Sequence, residues 1–253
     1  MDTRGNTVFI PGATSGIGLA LALRLQAAGN TVVIGGRRTD VLAQLRAEHR
    51  FDTVRIDTAD PESIRQAADE VIAAHPDLNV LIAMAGIMRI EDWRNADFVA
   101  DAEQMVATNL LGPIRLIAAF TAQLQARPDA AIITVSSGLA HTPLAVTPTY
   151  NATKAAIHQL SESIRLQLSD TSVRVIELVP PAVATELLPG QSESPFAMPL
   201  DDFADETLAL LRDQPDAHEI LVENVKFLRF GEVRGDYAQT VVTLNRLDPH
   251  AAA

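Results

Sequence analysis

Cysteine is absent from this chain. Neither a disulfide framework nor thiol chemistry is open to it, which suits a cytoplasmic setting. Tryptophan occurs once and tyrosine twice among 253 residues, so a chance tyrosine motif is rarer here than in an average sequence. Positive charge is also short. Against 32 Asp and Glu stand 20 Lys and Arg, a formal net charge of −12. That balance argues against nucleic acid or an anionic membrane as the main partner. An anionic ligand would need local positive charge or backbone N–H groups. Long apolar runs are missing too. The longest, Ile17 to Leu25, is broken by Arg24, and no stretch reaches the roughly 20 residues of a membrane span. Met1-Asp2-Thr3-Arg4-Gly5-Asn6 lacks the apolar stretch of a secretory signal. Repeats and low-complexity tracts are absent, and the tail His250-Ala251-Ala252-Ala253 carries no motif.

Hydrophobic residues make up 47% of the chain, enough for a sizeable core at this length. Strand-like and helix-like stretches alternate. Thr7–Ile10, Thr31–Ile34, Val54–Ile56, Val80–Met84, Ala131–Val135, Val173–Val179 and Glu219–Val222 read as buried strands. Between them lie helical stretches from Ile17 to Ala28, from a Thr39 cap, from Phe98 to Gln125, around Tyr150–Leu168 and near Asp202–Leu211. Asp60-Pro61-Glu62 opens another, with Asp as cap and Pro in the first turn, and its Ile64, Ala67, Ala68, Val71 and Ile72 keep the helical period. Strands apolar on both faces and alternating with helices imply a parallel sheet covered on both sides. The expected fold is α/β: one Rossmann-type, doubly wound parallel sheet with helices on both faces. No linker divides the chain, so residues 1–253 are read as one domain.

Tyr150 stands four residues before Lys154, and Ser137 thirteen residues before Tyr150. On a helix, positions i and i+4 share a face. The ammonium would then favour the phenolate and make the tyrosine a usable acid or base. Gly12-Ala13-Thr14-Ser15-Gly16-Ile17-Gly18 lies between the first strand and the first helix. Glycines there permit a tight turn and a close approach to a pyrophosphate, while the helix N-terminus supplies unpaired N–H groups. Gly12, Thr14, Ser15, Gly16, Ile17 and Gly18 are therefore the expected phosphate-binding turn. At the end of the second strand, Gly35-Gly36-Arg37-Arg38 holds no acid for a ribose 2′-hydroxyl. Arg37 and Arg38 there favour a 2′-phosphate, hence NADP(H) over NAD(H), or they are solvated residues before the next helix. Asp57, after the third strand, is either an acceptor for the adenine amino group or a turn residue.

Together these residues resemble the short-chain dehydrogenase/reductase family, in the branch of about this length. The likeness spans nearly the whole chain: Gly12-x3-Gly16-x-Gly18, Asp57, Ala85-Gly86, Asn109, Ser137, Tyr150-x3-Lys154, and Pro180 through Thr185. Arg4–Val8, Val135–Ala140, Val179–Val183, Met198–Asp201 and Phe227–Phe230 look closer still to its DltE-like branch. There are departures: Pro11 where the family has Thr, Ala83-Met84 where it has two Asn, and Pro181 after Pro180.

The resemblance implies a reaction. Tyr150 would give a proton to a carbonyl oxygen in reduction and take one from a secondary alcohol in oxidation. Ser137 would orient that oxygen. Lys154 would lower the tyrosine pKa and hold the nicotinamide ribose. Asn109 would interrupt its helix and hold a water that relays protons to Lys154. Ala85, Gly86 and Pro180 would line the cofactor, and Val183 and Thr185 would meet the nicotinamide amide. The hydride belongs to the cofactor. The implied function is an NADP(H)-dependent oxidoreductase for a small carbonyl or alcohol substrate, working as a homodimer or homotetramer. The alternatives are an NAD-dependent alcohol dehydrogenase and a non-catalytic, cofactor-sensing regulatory protein. No Gly-x-Ser-x-Gly elbow surrounds Ser137, and the six histidines show no metal-ligand spacing, so no metal is expected. His141 and Arg89 either reach the substrate region or are solvated loop residues, and Trp93 reads as packing. Specificity is assigned to loops 138–149 and 186–200. In the second, Leu187, Leu188, Phe196 and Met198 form either an apolar wall or anchors of a lid.

Overall fold

The computed structural model describes residues 2–247, so the tail from His250 to Ala253 lies outside the described residues. Seven strands form one sheet: β1 (Thr7–Pro11), β2 (Thr31–Gly36), β3 (Asp52–Arg55), β4 (Val80–Ala83), β5 (Ala130–Val135), β6 (Val173–Leu178) and β7 (Glu219–Ile220). Their order is β3-β2-β1-β4-β5-β6-β7, and every pair is parallel. Helices connect them: α1 (Gly16–Ala27), α2 (Thr39–His49), α3 (Pro61–Ala74), α4 (Val99–Val106), α5 (Gly112–Gln125), α6 (Pro148–Gln167) and α7 (Leu200–Asp213). The order reverses between β1 and β4, where a doubly wound sheet opens a crevice at its carboxyl edge.

Side-chain alternation builds two cores. Val8, Ile10, Val32, Ile34, Val80, Ile82, Ala131, Ile133, Ile176 and Leu178 share one cluster with residues of α1, α2 and α7. Phe9, Val33, Leu81, Ala130, Ile132, Val173 and Val175 share the other with α3 and α5. Successive residues of a strand point to opposite faces, and both faces are covered, which explains strands with almost no polar residue. Phe9 and Phe120 meet across the second core with ring centroids 5.3 Å apart, tilted by 42°.

Local chemistry sets the helix ends. The Asp60 carboxylate accepts from the Glu62 N–H at 3.0 Å, and Pro61 occupies the first turn, as the sequence predicts. Thr39 differs. It is the first helical residue, and the preceding position belongs to Arg38, whose side chain makes no cap because a guanidinium has no acceptor to offer the first N–H groups. Beyond residue 222, α8 (Lys226–Arg229), α9 (Gly231–Arg234) and α10 (Tyr237–Leu247) extend the chain past the last element read from the sequence. Two of these helices span four residues each, too short for a 3.6-residue period to declare itself.

One expectation on membrane segments is corrected. Val99–Gln125 is long and apolar enough to cross a membrane by length and composition, with a mean hydropathy of 1.4 over an 18-residue window within it. Leu116, Ile117, Phe120 and Leu124 of this stretch are buried against the sheet, so packing on the sheet accounts for much of its apolar character.

Candidate active site

The glycine turn is pressed between strand ends. Gly12 has φ +91°, and a Cβ there would stand 2.9 Å from Ala85 Cα. A Cβ on Gly18 would stand 2.8 Å from Ala13 Cα and 3.1 Å from Met84 Sδ. Backbone at both contacts cannot move aside cheaply, so glycine is required on packing grounds. Ser15 precedes α1 in extended conformation and its side chain makes no cap. The first-turn N–H groups of α1 thus have no side-chain acceptor of their own, the arrangement that receives an anion. Thr14 and Ile17 are half-buried, while Arg37 and Arg38 are exposed beside the turn. Arg38 Nη2 donates to Thr14 Oγ1 at 2.9 Å, which brings a guanidinium from the end of β2 onto the glycine turn. These features fit a dinucleotide phosphate on the turn and a further phosphate near the arginines. Asp57 serves the turn after β3: its Oδ1 accepts from the Ala59 N–H at 3.0 Å, and its own N–H donates to Ser63 Oγ at 2.9 Å.

Four elements converge beyond β4 and β5. Tyr150 and Lys154 are both buried on α6. The Ser137 hydroxyl lies near enough to the Tyr150 phenol to act on its proton affinity. Lys154 Nζ lies 5.5 Å from the tyrosine ring centroid and donates to the Val135 carbonyl at 2.8 Å. Ser137 is extended at the start of a 3-10 turn, Gly138–Ala140, and its Oγ accepts from the Leu139 N–H at 3.1 Å. That turn is tied to the end of β6, because the Gly138 N–H donates to the Pro180 carbonyl at 2.8 Å.

Asn109 sits in a π-helical turn, Ala107–Leu111, that separates α4 from α5. The interruption expected at Asn109 is present, with Pro113 in the first turn of α5; π-turns of this kind cluster at functional sites. Its side chain clamps the loop after β4. Asn109 Oδ1 accepts from the Ile87 N–H at 2.8 Å and Nδ2 donates to the Ile87 carbonyl at 2.8 Å. Nδ2 also reaches Thr153 Oγ1 at 3.3 Å. A Cβ on Gly86 would lie 3.4 Å from Asn109 Oδ1 and 3.7 Å from Lys154 Nζ. Gly86, Asn109 and Lys154 thus form one cluster.

The electrostatics differ from the sequence expectation. Burial pushes the Tyr150 phenol up to about 12, with the Ser137 hydrogen bond pulling the other way. Burial pulls Lys154 down to about 8. Desolvation penalises the charged form of each and outweighs the expected lowering of the tyrosine by the ammonium. Among the described Lys and Arg residues, Lys154 alone is buried, and the chain has only one other lysine, Lys226.

The 186–200 loop lies over this cluster. Val183 bridges to Met198, and the Ala184 N–H donates to the Met198 carbonyl at 2.8 Å. Thr185 faces the glycine turn, with its Cγ2 3.5 Å from where a Cβ on Gly16 would stand. Gln191 Nε2 donates to the Val183 carbonyl at 2.7 Å and to Thr185 Oγ1 at 3.4 Å. Leu188 is buried against Tyr150, Met88 and Met105, with Leu187 and Leu139 alongside. Leu187 and Leu188 therefore make the apolar wall, Met198 is an anchor within the larger core, and Phe196 is exposed.

Other sequence candidates lie elsewhere. Arg89 is exposed and bonds the neighbouring Met88 carbonyl. Trp93 stacks on Phe98 with centroids 4.6 Å apart and is also largely exposed. His141 is neither solvated nor at Tyr150: it packs edge-on against His158, centroids 4.6 Å apart. Sequence reasoning missed Glu91. Its buried Oε2 accepts from the Thr149 N–H at 2.7 Å, one residue before Tyr150, so a carboxylate from the β4 side braces the start of α6 against its positive dipole end. The acid two residues beyond Arg89 was the available signal, but nothing in its spacing announces the partner.

The arrangement holds a buried phenol, a hydroxyl beside it, a buried ammonium and a glycine turn, all at the carboxyl edge of one parallel sheet. Residues 6–195 match the short chain dehydrogenase family. Over 190 residues the chain is 42% identical to the uncharacterized oxidoreductase DltE of Bacillus subtilis (strain 168), covering 74% of this chain and 75% of that protein. It is 31% identical over 195 residues to 2,3-dihydro-2,3-dihydroxybenzoate dehydrogenase of Escherichia coli (strain K12), covering 74% and 73%. A short chain dehydrogenase from Burkholderia cenocepacia J2315, solved in complex with NADP, superposes with a TM-score of 0.82 at 26% identity, over 96% of this chain and 99% of that one. The chain belongs to the short-chain dehydrogenase family and is an NAD(P)-dependent oxidoreductase related to DltE.

Proposed function

We propose that this protein is an NADP(H)-dependent oxidoreductase of the cytoplasm, one domain over residues 1–253, that interconverts a carbonyl compound and a secondary alcohol with Tyr150 as its acid and base. The observation that carries this reading is the buried Tyr150 beside Lys154, with Ser137, Asn109 and Gly86 gathered around the pair. The bound nicotinamide supplies or accepts the hydride. Gly12, Thr14, Ser15, Gly16, Ile17 and Gly18 hold the pyrophosphate on the helix N-terminus. Arg37 and Arg38 meet the 2′-phosphate, the basis for preferring NADP(H). Asp57, Ala85, Gly86 and Pro180 line the rest of the dinucleotide, and Val183 and Thr185 receive the nicotinamide carboxamide.

Ser137 and Tyr150 together grip the substrate oxygen. A phenol pushed up to about 12 keeps its proton at neutral pH, which suits donation to a carbonyl. Reduction is therefore the direction favoured near pH 7, and alcohol oxidation gains as pH rises. Lys154 and Asn109 connect the tyrosine to the proton supply. The apolar wall of Leu187, Leu188 and Leu139 around Tyr150 suits a carbonyl compound with an apolar flank. Gln191 Nε2 bonds the Val183 carbonyl and Thr185 Oγ1, so it competes with the nicotinamide carboxamide for the approach to these residues.

Val99, Val106, Leu111 and Ile114 of the α4–α5 stretch and Leu166 of α6 are apolar and exposed, which suits a homodimer or homotetramer that covers these helices. Light scattering after size exclusion tests this, and a monomer at all concentrations would overturn it.

The function is tested by following NADPH consumption across a panel of carbonyl compounds, with NADPH and NADH affinities measured by fluorescence. Turnover in the wild type and its loss in Tyr150→Phe are expected. Reductase activity within a few-fold of wild type in Tyr150→Phe would remove the tyrosine from the mechanism. Tighter binding of NADH would remove the arginine argument.

A further inference from the structure

Four ligand-type side chains that share no sequence motif meet one helical turn beyond Lys154. His141 follows the 3-10 turn after Ser137, His158 lies on α6, Glu177 on β6 and Glu219 on β7. One donor atom from each lies within 4.8 Å of all the others.

Their charges are poorly balanced by the protein alone. Glu177 and Glu219 are register partners on adjacent strands, and like charges placed side by side across a sheet repel. Arg229 serves Glu219, donating through Nε at 2.8 Å and Nη2 at 2.9 Å. Glu177 is wholly buried, and its hydrogen-bond partners are the Ser136 hydroxyl and His158 Nδ1. Two carboxylates thus share one permanent cation, in a place where an uncompensated charge is costly. Glu162, bonded to Arg165, adds a further carboxylate on the same helix as His158. His141 Nε2 is buried and has no hydrogen-bond partner. Burial, reinforced by Arg229, pulls His141 down to about 4, so its ring is neutral at physiological pH, the form that ligates metals.

We propose that His141, His158, Glu177 and Glu219 form a binding site for a divalent transition cation of the zinc type. Two imidazoles with two carboxylates match zinc better than magnesium or calcium, which prefer all-oxygen shells. Zinc bonds to nitrogen and oxygen are about 2.0–2.2 Å long, so the donor atoms must draw together by roughly an ångström. His141 and Glu219 are only half-buried and have room to turn. The cation satisfies the orphaned His141 nitrogen and separates the two glutamates. It also clamps the loop after Ser137 to α6, β6 and β7, which would stiffen the mounting of Ser137 and Tyr150 from behind. The site does not depend on the proposed oxidoreductase mechanism.

The test titrates the full-length, chelator-stripped protein with Zn2+ by calorimetry and with Co2+ by visible absorption. One Zn2+ per chain, a Zn2+-dependent rise in melting temperature and an intense tetrahedral Co2+ band are expected. His141→Phe keeps the ring volume, and Glu219→Gln keeps the shape. Each should weaken Zn2+ by at least about tenfold, while His49→Ala, on α2, should leave it unchanged. The Co2+ spectrum of the wild type decides the coordination even where a variant folds poorly. Absence of stoichiometric Zn2+ binding, a weak octahedral Co2+ spectrum, or undiminished binding in a folded His141→Phe would overturn the proposal.

Discussion

Helix α6 carries two buried polar clusters on one face, one turn apart. Tyr150 and Lys154 form the first, and His158 with Glu177 forms the second. The first is assembled largely within the helix, and its outside partners are the Ser137 hydroxyl and the Val135 carbonyl. The second is assembled across the sheet, from β6, β7 and the loop after Ser137. Both are desolvated, but with different results. In the first, each group is pushed toward its neutral form, which suits groups that exchange protons. In the second, carboxylates are embedded among fixed donors, which suits holding strands and loop in place. The comparison separates a cluster built to change protonation from one built to hold a charge.

Two substitutions should break that comparison most visibly. Tyr150→Phe removes one hydroxyl. Positioned proton transfer is worth about 10²–10⁴-fold, so turnover should fall by that range, while the lost hydrogen bond costs about 1 kcal/mol of stability. Activity assays paired with urea denaturation measure both. Glu177→Ala should do the reverse. It leaves the Ser136 hydroxyl and His158 Nδ1 without their partner in the sheet, and each buried polar group so stranded typically costs about 1–3 kcal/mol. A Glu177→Ala protein as stable as the wild type would mean that the second cluster holds nothing together.

A pH series sharpens the first cluster. Lys154 has a folded pKa of about 8 against an ordinary 10.5. The unfolded chain therefore binds more protons between those values, and stability rises with pH across that window. Lys154→Met lacks this contribution. The stability of the wild type relative to Lys154→Met should thus climb by on the order of 3 kcal/mol from pH 8 to pH 10.5, at ~1.36 kcal/mol per pKa unit. Tyr150 runs the other way: its folded value of about 12 exceeds its ordinary 10, so deprotonation above pH 10 lowers stability. Both proteins keep the tyrosine, so the difference isolates the lysine. A flat difference in denaturation midpoints would show that the Val135 carbonyl holds the ammonium without a desolvation penalty.

How legible each cluster was follows from how it is built. Tyr150-x3-Lys154 lies within one helical turn, so spacing alone puts both on one face. The glycine turn and the Asp60-Pro61 helix start were legible for the same reason, since each is a local backbone requirement. The strands showed themselves because both faces are buried and few polar residues interrupt them. His141, His158, Glu177 and Glu219 are spread over four elements, and only the register that sets Glu177 beside Glu219 brings them together. No spacing rule carries that information. Glu91 escaped in the same way, because its target is the backbone of Thr149. The tyrosine pKa was misread since an i+4 ammonium was weighed without the burial that sets in once Leu188, Met88 and Met105 close around the ring. The short helices α8 and α9 offered too few residues to show a period.

The smallest expected effect tests how the first cluster is covered. Gln191 presents a primary carboxamide to the Val183 carbonyl and Thr185 Oγ1, the acceptors assigned to the carboxamide of the nicotinamide. Each of these oxygens can accept a second hydrogen bond, but Gln191 fills the approach to both, so the cofactor competes with the Gln191 contacts for space and direction. A neutral hydrogen bond is worth about 0.5–1.5 kcal/mol net. Gln191→Ala should therefore bind NADPH roughly two- to tenfold more tightly by fluorescence titration, with a faster association rate and little change in melting temperature. ADP-ribose-type fragments, which lack the carboxamide, should bind wild type and Gln191→Ala alike. Equal NADPH affinity in the two proteins would show that Gln191 yields without cost. A weaker affinity in Gln191→Ala would make it a ligand of the bound cofactor instead of a competitor, and the loop would then close onto the dinucleotide through the same side chain.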